Sequence, residues 1–202
     1  ILEDEGGKSY ILFLGSSGGA GATHIRHSGS DRVYLTAELA SWEVSPSVAS
    51  WIETGYLSLD AKQLLSISVQ NPNGTFDFIK SPEGIWTYTG LGEGQVFDTE
   101  AFLATANRLT SLRMLEPLGT EGKPAYGFGE PGAVVVLGLQ DESGSTSQLT
   151  LTIGGILDGT NYVAKASNSP YYVKIAPTYA TELVEMSHEG LLVAEPTPTP
   201  EP

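Results

Sequence analysis

The segment Glu182–His188 has the spacing in this chain that comes nearest to a metal-ligand motif. Within it, Glu185 and His188 are three residues apart, the spacing that places two ligands on one helical face in di-iron carboxylate bundles. Such a site needs a second Glu-x-x-His pair and two further glutamates. The other histidines, His24 and His27, fall on a predicted strand, where they face opposite sides. We therefore predict an exposed acidic helix end here, and no bound metal or cofactor.

The glycine-rich segment Gly15–Gly21 follows a predicted strand, as a phosphate-binding loop does. It lacks the Gly-Lys-Ser/Thr signature of such loops. A second strand is predicted after it, so no helix N-terminus would face a phosphate. We predict a flexible hairpin loop, and we interpret Gly90–Gly94 as the loop before a helix.

Residues suited to catalysis do not form a recognised arrangement in the sequence. The chain has no cysteine, and we identify no Gly-x-Ser-x-Gly nucleophile elbow. Glu93, Asp98 and Glu100 lie close together in sequence, but glycoside hydrolysis needs two acids on opposed walls of a cleft. Acids near a helix N-terminus are already explained by the helix dipole. We predict that the chain is not an enzyme.

Aromatic side chains leave glycan binding or processing open as an alternative function. Exposed rings could form a platform for sugars, although aromatic residues in short strands mostly fill packing positions of the sheet. Core packing is therefore the preferred prediction, and the Asn73-Gly74-Thr75 sequon is interpreted as a hairpin turn. The candidates for a sugar platform are Trp42, Trp51, Trp86, Tyr171 and Tyr172.

The composition excludes several classes of partner. Of the 202 residues, 10 are basic and 24 are acidic, which gives a formal net charge of −14. Binding to nucleic acid or to an anionic membrane surface needs clustered lysine and arginine, so neither partner is predicted. The absence of cysteine excludes disulfides and zinc–thiolate sites. No apolar run reaches the roughly 18 residues of a membrane span.

An internal repeat is the strongest organisational signal in the chain, because residues 1–48 resemble residues 139–187. Tyr10–Gly15 aligns with Leu149–Gly154, and the offset stays at 138 to 139 through the next two apolar segments. The period exceeds the roughly 20–50 residues of solenoid repeats. We predict a duplicated unit whose first copy is truncated, and hence that this chain is a fragment of a longer protein.

Alternation of apolar and polar residues predicts β-strands in both copies. The first copy is predicted to be a three-stranded meander over residues 10–36, followed by a short helical turn at 45–53. In the second copy a hairpin turns at Asn73-Gly74, and a helix capped by Asp98 runs to about Leu115. The further predicted elements are strands at 85–89, 133–139, 148–153, 162–165 and 171–175, and a last helix at 178–186.

These elements predict an α+β fold of antiparallel sheets with one long helix and a few short ones. The predicted domains are the C-terminal half of a first repeat unit at 1–56, a complete second unit at 57–190, and a disordered tail at 191–202. The tail is rich in proline, threonine and glutamate, a composition that favours extended or disordered chain. Such tracts are typical of spacers in exported and surface proteins.

Several motifs of this chain resemble a bacterial family, the domain of unknown function 4340. The most distinctive are Tyr126–Pro131, with the sequence Tyr-Gly-Phe-Gly-Glu-Pro, and Leu151–Gly154, with the sequence Leu-Thr-Ile-Gly. The resemblance covers residues 57–186, with residues 10–36 of the first copy in addition. The remaining matches are Trp51, Tyr56–Leu59, Ile67–Val69, Gly84–Trp86, Leu109–Leu112, Tyr162-Val163 and Tyr172-Val173.

The resemblance implies an extracytoplasmic domain on a single N-terminal anchor, associated with ABC-type or gliding-type transport systems. It implies no catalytic residues. We therefore expect a non-enzymatic interaction domain of a bacterial envelope protein, with a protein partner such as a transporter subunit. We expect no membrane insertion by this fragment itself. Glycan binding or processing at the cell surface is the alternative.

Overall fold

The computed structural model describes residues 2–3, 5–39, 43 and 50–193 of the chain. Their regular structure consists of antiparallel β-sheets, two α-helices and short 3₁₀ helices, which confirms the predicted α+β class. The chain divides into two units, of which the first ends at Ile52 and the second begins at Glu53.

The first unit is built from short antiparallel strands. They are β1 (Leu2–Glu3), β2 (Ser9–Tyr10), β3 (Leu12–Gly19), β4 (Ala22–His27) and β5 (Tyr34–Thr36). β1 pairs with β2, and the other three form a sheet in the order β3-β4-β5. This sheet is the meander that alternation predicted over residues 10–36. The helical turn predicted at 45–53 lies largely outside the described residues.

The second unit contains an eight-stranded antiparallel sheet. Its strands are β6 (Leu64–Asn71), β7 (Gly74–Lys80), β8 (Trp86–Tyr88), β9 (Met114–Gly119), β10 (Ala133–Gln140), β11 (Thr146–Leu157), β12 (Asn161–Ala166) and β13 (Tyr172–Ile175). They lie in the order β8-β7-β6-β10-β11-β12-β13-β9. Two meanders, β6 to β8 and β10 to β13, therefore meet where β6 pairs with β10.

Helix α1 (Thr99–Thr110) begins where the sequence predicted. The Asp98 carboxylate accepts a hydrogen bond from the N–H of Ala101 at 2.9 Å, which satisfies one of the free donors of the first turn. The buried face of the helix carries Phe102, whose ring stacks on that of Phe78 in β7 with 3.9 Å between centroids. Burying a phenylalanine in this way contributes about 1.5–3 kcal/mol.

Helix α2 (Pro177–Val184) belongs to the same helix layer. Proline suits its first turn, because the missing N–H has no partner within a helix at that position. Ala180 and Leu183 are buried, and the helix packs against β6 and β12. Both helices share one hydrophobic core with one face of the sheet. The opposite face of the sheet is therefore left to other segments.

The hairpin between β6 and β7 holds the end of α2. The side-chain amide of Asn71 donates to the carbonyl oxygens of Leu183 and Met186, each at 2.9 Å. The amide of Asn73 donates to the Met186 oxygen at 3.1 Å. Carbonyl groups at a helix C-terminus have no partner within the helix. The sequon asparagine, predicted only as part of a turn, thus has a structural role.

The prediction that the long helix runs to Leu115 is wrong. Helix α1 ends at Thr110, and β9 begins at Met114 and pairs with β13. Pro117 lies within β9, which tolerates a proline because it is an edge strand. Since β8 and β9 are the two edges of the sheet, the connection between them, which contains α1, carries the chain from one edge to the other.

Residues 53–56, predicted with the first unit, lie in the second. The backbone N–H groups of Tyr56 and Leu57 both donate to the carbonyl oxygen of Leu112, at 2.8 and 3.0 Å. These bonds attach the segment to the chain that follows α1.

The start of the predicted tail is part of the fold. Leu191 is buried in the core of the second unit, and the N–H of Val193 donates to the carbonyl oxygen of Val96 at 2.9 Å. The remainder of the predicted tail, 194–202, lies outside the described residues.

Candidate functional site

The Glu-x-x-His segment does not form a helical ligand pair. Helix α2 ends at Val184, so Glu185 follows the helix and His188 lies beyond it. The two ring nitrogens of His188 contact the Tyr88 hydroxyl at 3.2 Å and the side-chain oxygen of Gln95 at 3.0 Å. Within the described ranges, no three His, Cys, Asp or Glu side chains are placed to share a metal ion. That the chain binds no metal stays a prediction.

The glycine-rich segment Gly15–Gly21 is part strand and part turn. β3 continues to Gly19, and positive φ angles from Gly19 to Gly21 turn the chain into β4. The first five residues of the segment have the Gly-x-Ser-x-Gly spacing of a nucleophile elbow, which the sequence-based prediction missed. They do not form an elbow, because a strand follows and the Ser17 hydroxyl donates to the Ala22 carbonyl at 3.5 Å.

The two other histidines lie on β4 and contact backbone oxygens. Nδ1 of His24 is 3.0 Å from the carbonyl oxygen of Ser16, and Nδ1 of His27 contacts that of Ser28. In the part of the chain that the structure describes, no imidazole is hydrogen-bonded to a serine hydroxyl, the contact that nucleophilic catalysis by serine requires.

The aromatic residues considered for a sugar platform have different environments. Trp86 is buried in the core of the second unit, and Tyr172 is half-buried on the outer side of its sheet. Trp51, in the first unit, and Tyr171, in the second, are 63% and 50% exposed. Trp42 lies outside the described residues.

A groove of about 290 Å³ lies between α1 and α2 and has acids along it. Glu182 accepts a hydrogen bond from the Thr105 hydroxyl and pairs with Arg108, both at 2.5 Å. Desolvation raises the pKa of Glu182, but the bonds from Arg108 and Thr105 outweigh it, so the pKa is lowered overall. Asp98 caps α1, and Glu100 is exposed in the first turn of that helix. Glu182 and Asp98 thus already have structural partners.

On the outer face of the sheet, the Tyr-Gly-Phe step at residues 126–128 packs directly on β11. A Cβ added at Gly154 would lie 2.0 Å from the carbonyl oxygen of Tyr126 and 2.9 Å from the ring of Phe128, so only glycine fits there. Gly127 has a φ of 72°, in the left-handed region that favours glycine. The two most distinctive motifs of the sequence are therefore two sides of one contact.

Tyr172 extends this contact along the outer face. Its ring centroid lies 5.4 Å from that of Tyr126 and 5.1 Å, edge to face, from that of Phe128. The Lys165 ammonium group lies 5.1 Å from the Tyr172 ring centroid. This aromatic cluster covers the end of the sheet near β12 and β13.

Lys174 connects three parts of the same end of the sheet. Its ammonium group lies 2.8 Å from Glu116 of β9 and 2.9 Å from Asp158 in the turn between β11 and β12. The bonds to Glu116 and Asp158 raise the pKa of Lys174. The bond from Lys174 is the largest of several contacts that lower the pKa of Asp158. These charges therefore have structural partners.

The centre of the outer sheet face has no charged side chain. We call this surface the open face and define it by the side chains on β6, β10 and β11 that alternate with the buried ones. The strand registers arrange them in two rows, Ser68–Val136–Thr150 and Gln70–Val134–Thr152. The first row continues to Asp77 on β7 and the second to Lys165 on β12, so charges flank the open face.

A depression of about 490 Å³ lies at one end of the open face. Ser66, Gly138 and Gln148, which are paired neighbours across β6, β10 and β11, form its floor. None of the residues that line it is charged. The open face and this depression together form the candidate site.

A protein-family model described as Domain of unknown function (DUF4340) matches residues 2–131 of the chain. The chain belongs to this family. The matched range includes the first unit and the second as far as the Tyr126–Pro131 motif. It ends before β10, so the Leu151–Gly154 motif lies beyond it. Neither the search of curated proteins nor that of solved structures found a match.

In this member of the 4340 family, the open face combines β6 from the matched range with β10 and β11 from beyond it. No helix in the described parts of the chain is long and apolar enough to span a membrane.

Proposed function

We propose that this family member is a non-enzymatic interaction domain that binds a protein partner through the open face. The observation that carries the proposal is the uncharged centre of that face in a chain with a formal net charge of −14. Its six central side chains are serine, threonine, valine and glutamine. Charged residues are depleted in the cores of protein interfaces, since they are costly to dehydrate.

The valines of the open face favour binding of a partner, because their apolar side chains are otherwise in contact with water. Val134 and Val136 are the middle members of the two rows, with serine, threonine or glutamine on either side. A partner that covers them would remove apolar surface from water. It would bury no charged side chain of the open face, because the centre of the two rows has none. The uncharged depression beside them could receive a projecting side chain of that partner.

A non-enzymatic role is consistent with the contacts of the side chains suited to catalysis. The imidazole of His188 contacts a phenol and an amide, and those of His24 and His27 contact backbone carbonyls. Glu182 is paired with Arg108, and Asp98 caps a helix.

We propose further that the domain acts outside the cytoplasm, in an envelope protein that is an accessory of an ABC-type transport system. The family resemblance supports this part of the proposal. The acidic, cysteine-free composition is compatible with an exported protein. This location does not depend on which surface binds the partner.

The test places a photo-activated cross-linker at Thr150 in the open face or at Leu103, which is 40% exposed on α1. In cells that produce the full-length protein, we expect Thr150 to yield a cross-linked product with one defined envelope protein. Val136→Lys should reduce this product at least tenfold, because it places an ammonium group in the uncharged centre. Leu103→Lys, the matched control, should leave it unchanged.

Urea unfolding of both lysine variants ensures that a lost product reflects the surface and not the fold. A product that survives Val136→Lys in a folded protein would refute binding through the open face. Cross-linking to cell-wall glycan instead of a protein would favour the glycan alternative. A defined partner outside any transport system would refute only the transporter association.

A further inference from the structure

The turn between β6 and β7 places an asparagine directly before a glycine. β6 ends at Asn71 and β7 begins at Gly74, so Pro72 and Asn73 form a two-residue turn. Asn73 and Gly74 are both exposed to solvent. Every other asparagine of the chain precedes a residue that has a side chain: Asn71 precedes Pro72, Asn107 precedes Arg108, Asn161 precedes Tyr162 and Asn168 precedes Ser169.

The fold needs both residues of this Asn-Gly pair. Gly74 has a φ of 143°, a conformation that side chains of L-residues rarely adopt, so glycine is required at the start of β7. The side-chain nitrogen of Asn73 donates to the carbonyl oxygen of Met186 at 3.1 Å and to that of Glu185 at 3.4 Å. These carbonyls belong to the residues that directly follow α2. The turn and the end of α2 therefore both depend on the pair.

An exposed Asn-Gly pair can react with itself and then with water. The main-chain nitrogen of Gly74 attacks the side-chain carbonyl carbon of Asn73, because glycine has no side chain to obstruct the approach. A C–N bond forms, the bond from that carbon to Nδ2 breaks, and ammonia leaves with the proton of the Gly74 N–H. Water then opens the cyclic imide. Opening at the side-chain carbonyl gives aspartate, and opening at the main-chain carbonyl gives isoaspartate, which lengthens the main chain by one carbon atom.

We propose that Asn73 is a site of spontaneous deamidation in the folded protein, and that the modification weakens the attachment of the end of α2 to the β6–β7 hairpin. A carboxylate at residue 73 has no hydrogen to donate to the carbonyl oxygens of Glu185 and Met186. Its negative charge also lies at the C-terminal, negative end of the α2 dipole. In isoaspartate, the longer main chain alters the two-residue turn that pairs Asn71 with Gly74.

The effect of the modification reaches the groove between α1 and α2. Glu185, Met186 and Ser187 line this groove, and Met186 belongs to the core of the second unit. Asn71 still donates to the Met186 carbonyl oxygen at 2.9 Å after Asn73 has reacted. The modification therefore changes one wall of the groove while the rest of the unit stays folded. This proposal does not depend on binding through the open face.

The first test measures where the folded chain deamidates. The whole chain is kept in mildly alkaline buffer, and mass spectrometry of peptide fragments follows the conversion of amide to acid at each asparagine. We expect conversion at Asn73 to be at least tenfold faster than at Asn168, where the following serine obstructs the attack. Asn71 is the control within the same turn, because Pro72 has no N–H from which the imide can form. Conversion at Asn73 no faster than at Asn168 would overturn the proposal.

A second control separates the reaction from the turn itself. Asn73→Gln keeps a side-chain amide but would have to form a larger ring, so we expect no conversion at residue 73 during the same incubation. An isoaspartate methyltransferase should label the peptide that contains residues 73 and 74 in the unaltered chain and not in this variant. Conversion in the urea-unfolded chain alone would overturn deamidation of the folded protein.

The last test measures the consequence at the end of α2. Asn73→Asp reproduces one product, and hydrogen–deuterium exchange of the Glu185 amide should be at least fivefold faster in it than in the unaltered chain. Asn73→Ala removes the donor without adding a charge, so its effect should be smaller. Exchange in β10 should be the same in all three chains, which shows that the unit is folded. Unchanged exchange at Glu185 in Asn73→Asp would overturn the effect on α2.

Discussion

Replacing Gly154 by alanine tests how closely the Tyr-Gly-Phe step packs on β11. The added Cβ would lie 2.0 Å from the carbonyl oxygen of Tyr126 and 2.9 Å from the ring of Phe128. Ordinary contacts of this kind are about 3.5 Å long, so the step would have to move by roughly 1.5 Å. The nearest atom belongs to the backbone and cannot rotate away. We expect Gly154→Ala to lower the free energy of unfolding by about 3 kcal/mol, at the upper end of typical overpacking costs.

Urea unfolding followed by tryptophan fluorescence measures this change, since Trp86 is buried in the same unit. Gly155→Ala is the matched control, because its Cβ would have its nearest neighbour at 3.7 Å. This control should change the free energy of unfolding by less than about 0.5 kcal/mol. In thermal unfolding, the loss in Gly154→Ala corresponds to a Tm lower by about 6–12 °C. Equal results for the Gly154 and Gly155 variants would refute the reasoning.

Three other contacts give predictions of their own. The pKa of Glu182 is lowered from 4.5, so its stabilising effect is complete above pH 4.5 and is lost as the pH falls through the folded pKa. Glu182→Gln should therefore make the free energy of unfolding less dependent on pH in this acid range. An unchanged pH dependence would contradict a stabilising interaction between Glu182 and Arg108. Lys174→Met should lower the free energy of unfolding by about 1 kcal/mol at low ionic strength and by less in concentrated salt; urea titrations at both salt levels decide this. Asn71→Ala removes the side-chain donor of the Leu183 carbonyl and one of the two donors of the Met186 carbonyl, at a cost of about 1–3 kcal/mol, and amide exchange at the end of α2 should become faster.

The elements that the sequence predicted correctly depend on short-range patterns. The helix start at Asp98 follows from one carboxylate and a neighbouring backbone N–H. The strands follow from alternation, which a half-buried antiparallel sheet requires. The three-stranded meander within residues 10–36 was predicted from the same alternation.

Strand β9 was not predictable by these means. Met114 and Leu115 continue the apolar spacing of α1, and Pro117 is typical of a break. The segment is a strand because β13, far along the chain, offers it an edge. Long-range pairing decides its conformation against the local pattern.

The candidate site could not be predicted from the sequence for a similar reason. The uncharged alternate positions of β6, β10 and β11 can be found in the sequence once the strands are known. Only the strand order places Ser68, Val136 and Thr150 in one row. In the same way, the sequence does not show that Tyr126 and Gly154 are in contact. Their contact follows from the position of β11 beneath the Tyr-Gly-Phe step.

The place of β9 at the far edge of the sheet determines the order in which the second unit can assemble on the ribosome. Within each meander the strands pair with neighbours that have just been synthesised, whereas β9 precedes its partner β13 by about fifty residues. At 5–20 residues per second, this interval lasts roughly 3–10 s. During this interval β9 has no edge to join, and α1 has only the β6–β8 part of the sheet to pack on. Docking of β9 is therefore a late step of synthesis-coupled folding, and it completes the sheet.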